Sequence, residues 1–195
     1  MSNSQAITKL VDSIMNYDSD GATIWAQNAI DEGVDPIGTL DLLIETIRKV
    51  GDSFGRGEIF LPELMGAAQA MQNALPILEG EIMKRGKQRE TVGTLVLGTV
   101  KGDIHDIGKT LVGIFFMTAG FKVIDLGIDV PADRFVEAVR EYNPDILGMS
   151  ALLTTTALGQ AKVIEALRES GLRDKVKVIV GGAAVTPELA KSVGA

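Results

Sequence analysis

From residue 92 onward the chain alternates short apolar runs with longer amphipathic stretches, and this constrains its fold more than any other feature. The runs lie at 92–100, 122–126, 146–151 and 176–180, and helical spacing fills 107–119, 132–142, 157–169 and 187–193. Strands that are apolar at consecutive positions are buried on both faces, and intervening helices make them parallel. The pattern therefore predicts an α/β domain, a parallel sheet covered by helices on both faces. Ligands of such sheets bind beyond the carboxyl ends of the strands, where the strand order reverses. In a Rossmann-like sheet of flavodoxin-like order that point lies between the first and third strands. The loops after Val100 and Ser150 are then expected to face one crevice.

Residues 1–84 show helical periodicity and no strand-like alternation. One helix is expected over 6–15. Asp20 is expected to cap a second, running through Ala22, Ile24, Trp25 and Ala29 to Gly33. Asp35-Pro36 is a strong helix start, a capping carboxylate before a proline at the first helical position. Leu40, Leu43, Ile44, Ile47 and Val50 then share one face. Pro62 opens another helix, with Leu64, Met65, Ala68, Met71 and Leu75 expected on its buried side and Pro76 expected to kink or break it. Four helices of this kind make a small bundle. The polar stretch 84–91, KRGKQRET, reads as a linker, so the division is a helical domain over 1–88 and an α/β domain over 89–195.

The chain contains no cysteine, which excludes disulfides, cysteine-ligated zinc, iron–sulfur clusters and thiol nucleophiles. A net charge of −7 and the lack of any basic run argue against nucleic acid as a partner. The opening MSNSQAITKL has no apolar signal core. The longest apolar stretch, 111–121, is shorter than the ~20 residues that span a bilayer. The expectation is a cytoplasmic protein with no membrane partner. Its 195 residues include 1 histidine, so any metal bound there must receive its other ligands from elsewhere.

That histidine lies in the loop Lys101-Gly102-Asp103-Ile104-His105-Asp106-Ile107-Gly108-Lys109. Glycines let such a loop bend sharply and let a ligand approach backbone. Asp103, two residues before His105, can reach one imidazole nitrogen and leave the other as an oriented lone pair, as metal-ligating histidines require. A surface histidine beside an acidic loop accounts for the same residues equally well. Gly108-Lys109-Thr110 matches the end of a phosphate-binding loop, but that motif needs four residues between its glycines, and Gly102 and Gly108 enclose five. The hydroxyl run Thr154-Thr155-Thr156 after Ser150 can bind a ligand or cap a helix, and Gly181-Gly182 can leave a slot or make a turn.

Together, Asp103-x-His105-x-x-Gly108, Ser150-x-Leu152 and Gly181-Gly182 resemble the cobalamin-binding signature shared by methionine synthase and the corrinoid proteins of methyltransferase systems. The segment from Gly51 to Pro62 looks like the helical cap that those proteins place over the corrin. The resemblance implies a cobalamin or related corrinoid in its methyl-carrying form (methylcobalamin), with His105 ligating cobalt from below in place of the cofactor's own base. Asp103 would orient His105, and Thr156 stands where methionine synthase continues this relay with a serine. Ser150 would bond the buried tail base. Leu152, Gly181 and Gly182 would line the tail's slot, with Thr154 a further hydroxyl near it. Gly102, Ile104, Asp106, Ile107 and Gly108 of the signature loop, and Met65 of the cap, would be further cofactor-binding residues; Phe54 and Leu61 would cover the methyl on cobalt.

The family's domains carry a fifth strand and a last helix, and this sequence ends at Gly194-Ala195, where that strand is expected to begin. The implied role is a shuttle subunit. It takes a methyl group from a substrate-specific methyltransferase and hands it to a second one, with a reductive activase as a further partner. Methylamines, methanol, betaines and methoxylated aromatics are the candidate donors, and tetrahydrofolate or coenzyme M the candidate acceptors. Two other classes use the same loop, an adenosylcobalamin-dependent isomerase subunit and a B12-sensing module. The first usually lacks the cap, and the second carries a DNA-binding domain.

Overall fold

The computed structural model describes residues 4–87 and 91–195. The chain divides into two compact units, Met1–Glu90 and Thr91–Ala195. The first holds α1 (Gln5–Met15), α2 (Ser19–Asp31), α3 (Pro36–Gly55) and α4 (Leu61–Lys84), with α1 and α4 packed on each other and on both α2 and α3. Its core is a set of helical stripes: Leu10 and Ile14, Ala22, Ala26 and Ala29, Leu40, Leu43 and Ile47, and Leu64, Met71, Ala74 and Leu78. Each large aliphatic side chain so buried contributes roughly 1.5–3 kcal/mol relative to exposure. Met65 and Leu75, expected in that core, are half-buried instead, because the buried stripe of α4 runs through Leu64, Ala68, Met71 and Leu78.

Two helix signals resolve differently from the sequence expectation. Asp18, not Asp20, caps α2, its carboxylate accepting the N–H of Gly21 at 2.9 Å; Asp20 sits one residue inside the helix. Asp35 caps α3 as expected, accepting the N–H of Gly38 at 3.1 Å. Pro76 lies inside α4 without ending it. The bond it forfeits would reach the carbonyl of Gln72, and both residues are exposed, so the loss falls on the solvent side while the buried face holds the helix together. Pro76→Ala restores the missing N–H at a solvated position. It is expected to raise the stability of this unit by about 1–3 kcal/mol, read from denaturant midpoints.

The second unit is a sheet of β1 (Thr94–Thr99), β2 (Lys122–Asp125), β3 (Ile146–Ser150) and β4 (Lys177–Gly181), interleaved with α5 (Ile107–Thr118), α6 (Ala132–Tyr142), α7 (Thr154–Glu169) and α8 (Pro187–Val193). All pairings are parallel and the order is β2-β1-β3-β4. The core joins Val96, Leu147 and Met149 of the sheet to Phe135 and Val139 of α6 and to Val163, Ile164 and Leu167 of α7. Gly98 makes room for Phe135, whose ring would lie 2.8 Å from a Cβ at that position.

The register pairs Thr99 with Ser150 and Ser150 with Gly181, so β1, β3 and β4 finish side by side at one rim. The loops after β1 and β3 leave that rim together, as the switch-point argument requires. α7 begins at Thr154, three residues before the expected start, which puts the whole hydroxyl run in its first turn. The polar stretch 84–91 overlaps the end of α4 at Lys84, and its residues 88–90 lie outside the described residues. Among the described residues, no helix is long and apolar enough to cross a membrane.

Candidate functional site

The loop after β1 is built around one buried carboxylate. Asp103 is 1% exposed and accepts four hydrogen bonds. Its Oδ1 receives the backbone N–H of His105 at 3.0 Å and the ring Nδ1 of His105 at 2.7 Å. Its Oδ2 receives the N–H of Leu152 at 2.7 Å and the hydroxyl of Thr156 at 2.6 Å. Burial pushes this carboxyl up, but the bonds from Thr156, His105 and Leu152 together outweigh it and hold the group well below the usual carboxylate range. An ionised carboxylate can only accept, so Nδ1 of His105 carries the proton and Nε2 presents the lone pair. The side chain of His105 is 49% exposed, which leaves that lone pair reachable. The arrangement is that of an imidazole set up to ligate a metal. Among the described residues, no group of three or more histidine, cysteine, aspartate or glutamate side chains could hold a bare ion, so a metal at His105 must bring its own ligands.

Two cavities meet beside this ring. One, of about 470 Å³, is a bowl lined by Ile104, His105, Asp106, Ile107, Gly108, Ser150, Leu152, Gly182 and Ala183. Ile104 and Ile107 are strongly exposed apolar side chains, which a planar apolar ligand would cover. The other, of about 170 Å³, is a slot that includes Val112, Gly148, Ser150, Ile179, Gly181 and Gly182. Gly108, Ser150 and Gly182 line both, so the bowl and the slot adjoin. A Cβ added at Gly108 or Gly181 would meet nothing within 4 Å, which leaves open space for a ligand. Ser150 lines both cavities, and its hydroxyl has no hydrogen-bond partner among the described residues.

The sequence-derived residues fall into four groups. His105, Asp103, Leu152 and Thr156 form one hydrogen-bonded cluster, and the methyl of Thr156 lies 3.8 Å from where a Cβ at Gly102 would stand. Ile104, Asp106, Ile107, Gly108, Ser150, Gly181 and Gly182 line the cavities. Thr154 is brought to neither: it is exposed at the start of α7. Phe54, Leu61 and Met65 belong to the first unit, where all three are half-buried, at the end of α3 and the start of α4. Lys109, read against the phosphate-loop pattern, is a buried wall of the slot with its ammonium paired to Asp125.

Three supporting residues escaped the sequence reading. Thr99 donates its hydroxyl to the carbonyl of His105 at 3.0 Å. Gln160, fully buried on α7, donates to the carbonyls of Met149 and Gly181, both at 3.1 Å, and so ties the ends of β3 and β4. A polar residue on the inward face of α7 was the available signal for it. Asp129 contacts the loop before His105 across 27 residues of sequence, and no local pattern announces it.

A family model described as a B12 binding domain matches residues 93–195, more than half of the chain, and a second of the same description matches residues 6–79. The chain is 42% identical over 192 residues to the trimethylamine corrinoid protein of Methanosarcina barkeri, covering 98% of this chain and 88% of that one. It is 46% identical over 191 residues to a corrinoid protein of Desulfitobacterium hafniense, covering 97% and 88%. Among solved structures, the methanol:cobalamin methyltransferase complex MtaBC of Methanosarcina barkeri contains a chain that matches with a TM-score of 0.80 at 32% identity, covering 97% of this chain and 72% of that one.

Proposed function

The chain belongs to the B12-binding family, with the corrinoid proteins of methyltransferase systems, and from that premise we propose that it carries a methyl group on a protein-bound cobalt corrinoid. When bound, the corrinoid's cobalt supplies the methyl-accepting and methyl-donating chemistry. The residues of the chain do the rest. His105 offers Nε2 to the metal, and Asp103 fixes the ring's tautomer and direction through Nδ1. Thr156 and Leu152 keep Asp103 ionised while it is buried. Ser150 offers a free hydroxyl to the tail base, and Gly181 and Gly182 leave the slot open to it. Ile104, Ile107 and Leu152 would hold the macrocycle through the apolar wall they give the bowl.

The observation that carries this reading is the half-exposed His105 ring, tied at one nitrogen to a saturated buried carboxylate, in an apolar bowl that adjoins a slot. Its partners are a methyltransferase that loads the corrinoid, a second that unloads it, and a reductive activase. The identity to corrinoid proteins named for trimethylamine supports methylamines as the methyl source. In reconstituted protein, His105→Ala is expected to weaken cobalamin binding by about 10–100-fold and to remove protein nitrogen from the cobalt. Wild-type affinity together with an unchanged visible spectrum in that variant would refute the assignment. Trimethylamine, dimethylamine, monomethylamine and methanol, each supplied with its own methyltransferase, then rank the donors.

A further inference from the structure

We infer that Asp129 is a positioning residue for the cobalt ligand, an external brace that fixes the loop from which His105 projects. This rests on the reading of His105 given above and concerns how the chain aims that ring. Asp129 follows β2 and has φ +55°, the left-handed region that side chains other than glycine rarely adopt. It uses that conformation to make three contacts with one loop. Its Oδ1 accepts the N–H of Gly102 at 2.8 Å, its Oδ2 pairs with the ammonium of Lys101 at 3.0 Å, and its own N–H donates to the carbonyl of Asp103 at 3.0 Å.

The contacts fall on three consecutive residues, Lys101, Gly102 and Asp103, immediately before the ligand loop turns to His105. Gly102 is itself left-handed, at φ +84°, so the loop reverses direction where Asp129 grips it. From the other side Thr99 holds the carbonyl of His105. Asp103 sets the rotation of the imidazole, whereas Asp129 sets where the loop places it. A non-glycine residue held left-handed marks a position where surrounding contacts outweigh the local preference. Aspartate suits it, since a short polar side chain tolerates this region and supplies the acceptor that Gly102 needs.

Two variants separate backbone from carboxylate. Asp129→Gly keeps the φ angle free of strain and removes both side-chain contacts. Asp129→Asn keeps an acceptor for Gly102 and a residue that tolerates the left-handed region. Two readouts are taken. In the cofactor-free chain, the hydrogen exchange of the Gly102 amide is measured by NMR. In chain labelled with nitrogen-15 and reconstituted with unlabelled cobalamin, the reduced paramagnetic cobalt is examined by EPR, where a protein imidazole splits the lines into doublets and the cofactor's own base into triplets.

Asp129→Gly is expected to speed Gly102 exchange about tenfold or more and to lower the doublet fraction at least twofold, while Asp129→Asn stays within about threefold of wild type in exchange. If Asp129→Gly matches wild type in both readouts, or if the asparagine variant is as loose as the glycine variant, the brace is overturned. A wild-type doublet that His105→Ala abolishes keeps the ligand assignment standing whatever Asp129 does. The absence of a doublet in wild type overturns that assignment and the brace with it.

Discussion

Replacing Asp103 by asparagine is expected to cost about 3 kcal/mol of stability in the second unit and to release the tautomer of His105. The change is nearly isosteric, so the loss isolates charge and acceptor capacity. In the native site both carboxylate oxygens are saturated, one by the N–H and ring of His105, the other by Leu152 and Thr156. An amide has one accepting oxygen and one donating nitrogen. If its oxygen serves His105, its NH₂ faces the N–H of Leu152, donor against donor; the reverse placement sets it against the backbone N–H of His105. Either way a buried donor loses its partner, which costs about 1–3 kcal/mol for each such group.

In a unit of this size such a loss lowers the melting temperature by more than about 10 °C. The chain's 1 histidine gives an unambiguous nitrogen-15 NMR signal. In wild type the proton is expected on Nδ1; in the variant the two tautomers are expected to mix. A variant that melts within about 2 °C of wild type and keeps its proton on Nδ1 would show that the carboxylate does not organise this site.

The depressed acidity of Asp103 also fixes a pH window. Its folded value lies below the ordinary value near 3.9, so the stabilisation is fully present above that ordinary value and is lost only as pH falls through the lower, folded one. Between neutrality and about pH 5 the contribution of the Asp103 carboxylate is therefore constant.

What the sequence displayed and what it concealed divide along a physical line. The sheet order was legible because four apolar runs separated by helical spacing leave few arrangements. His105, Asp103 and Ser150 were legible because they sit at the ends of those runs, where a parallel sheet places its ligands. The bounds of α7 were not, since a threonine run suits a cap as well as a first turn. The cap of α2 was misplaced by two residues because Asp18 and Asp20 are chemically identical, and only backbone geometry selects the one whose carboxylate reaches the N–H three residues on, at Gly21. Of the two outcomes expected at Pro76, a kink or a break, the break does not occur, because its cost depends on whether the orphaned carbonyl faces water, and sequence does not say which side of a helix is wet. Gln160 and Asp129 act through bonds to residues 11 and 27 positions away, a distance at which no periodicity reports.

The adjacent glycines 181 and 182, a single feature in the sequence, are expected to fail in opposite ways. At Gly182 φ is +130° and a Cβ would stand 1.7 Å from the carbonyl oxygen of Ala151. That oxygen is backbone, at the end of β3, and cannot step aside without breaking the rim where β3 and β4 finish together. Gly182→Ala is therefore expected to cost more than about 3 kcal/mol, measured by denaturant unfolding without cofactor.

At Gly181 the space around the missing Cβ is clear, so Gly181→Ala is expected to fold with stability within about 0.5 kcal/mol of wild type. Its methyl stands at the slot of about 170 Å³. A methyl group that crowds a fitted ligand costs about 1–3 kcal/mol, so cobalamin binding is expected to weaken about tenfold. A corrinoid that lacks the nucleotide tail meets no such crowding, and its affinity is expected to stay unchanged. If Gly181→Ala weakens both ligands alike, or neither, the slot does not receive the tail; if Gly182→Ala leaves stability intact, the rim is more pliable than its backbone contacts indicate.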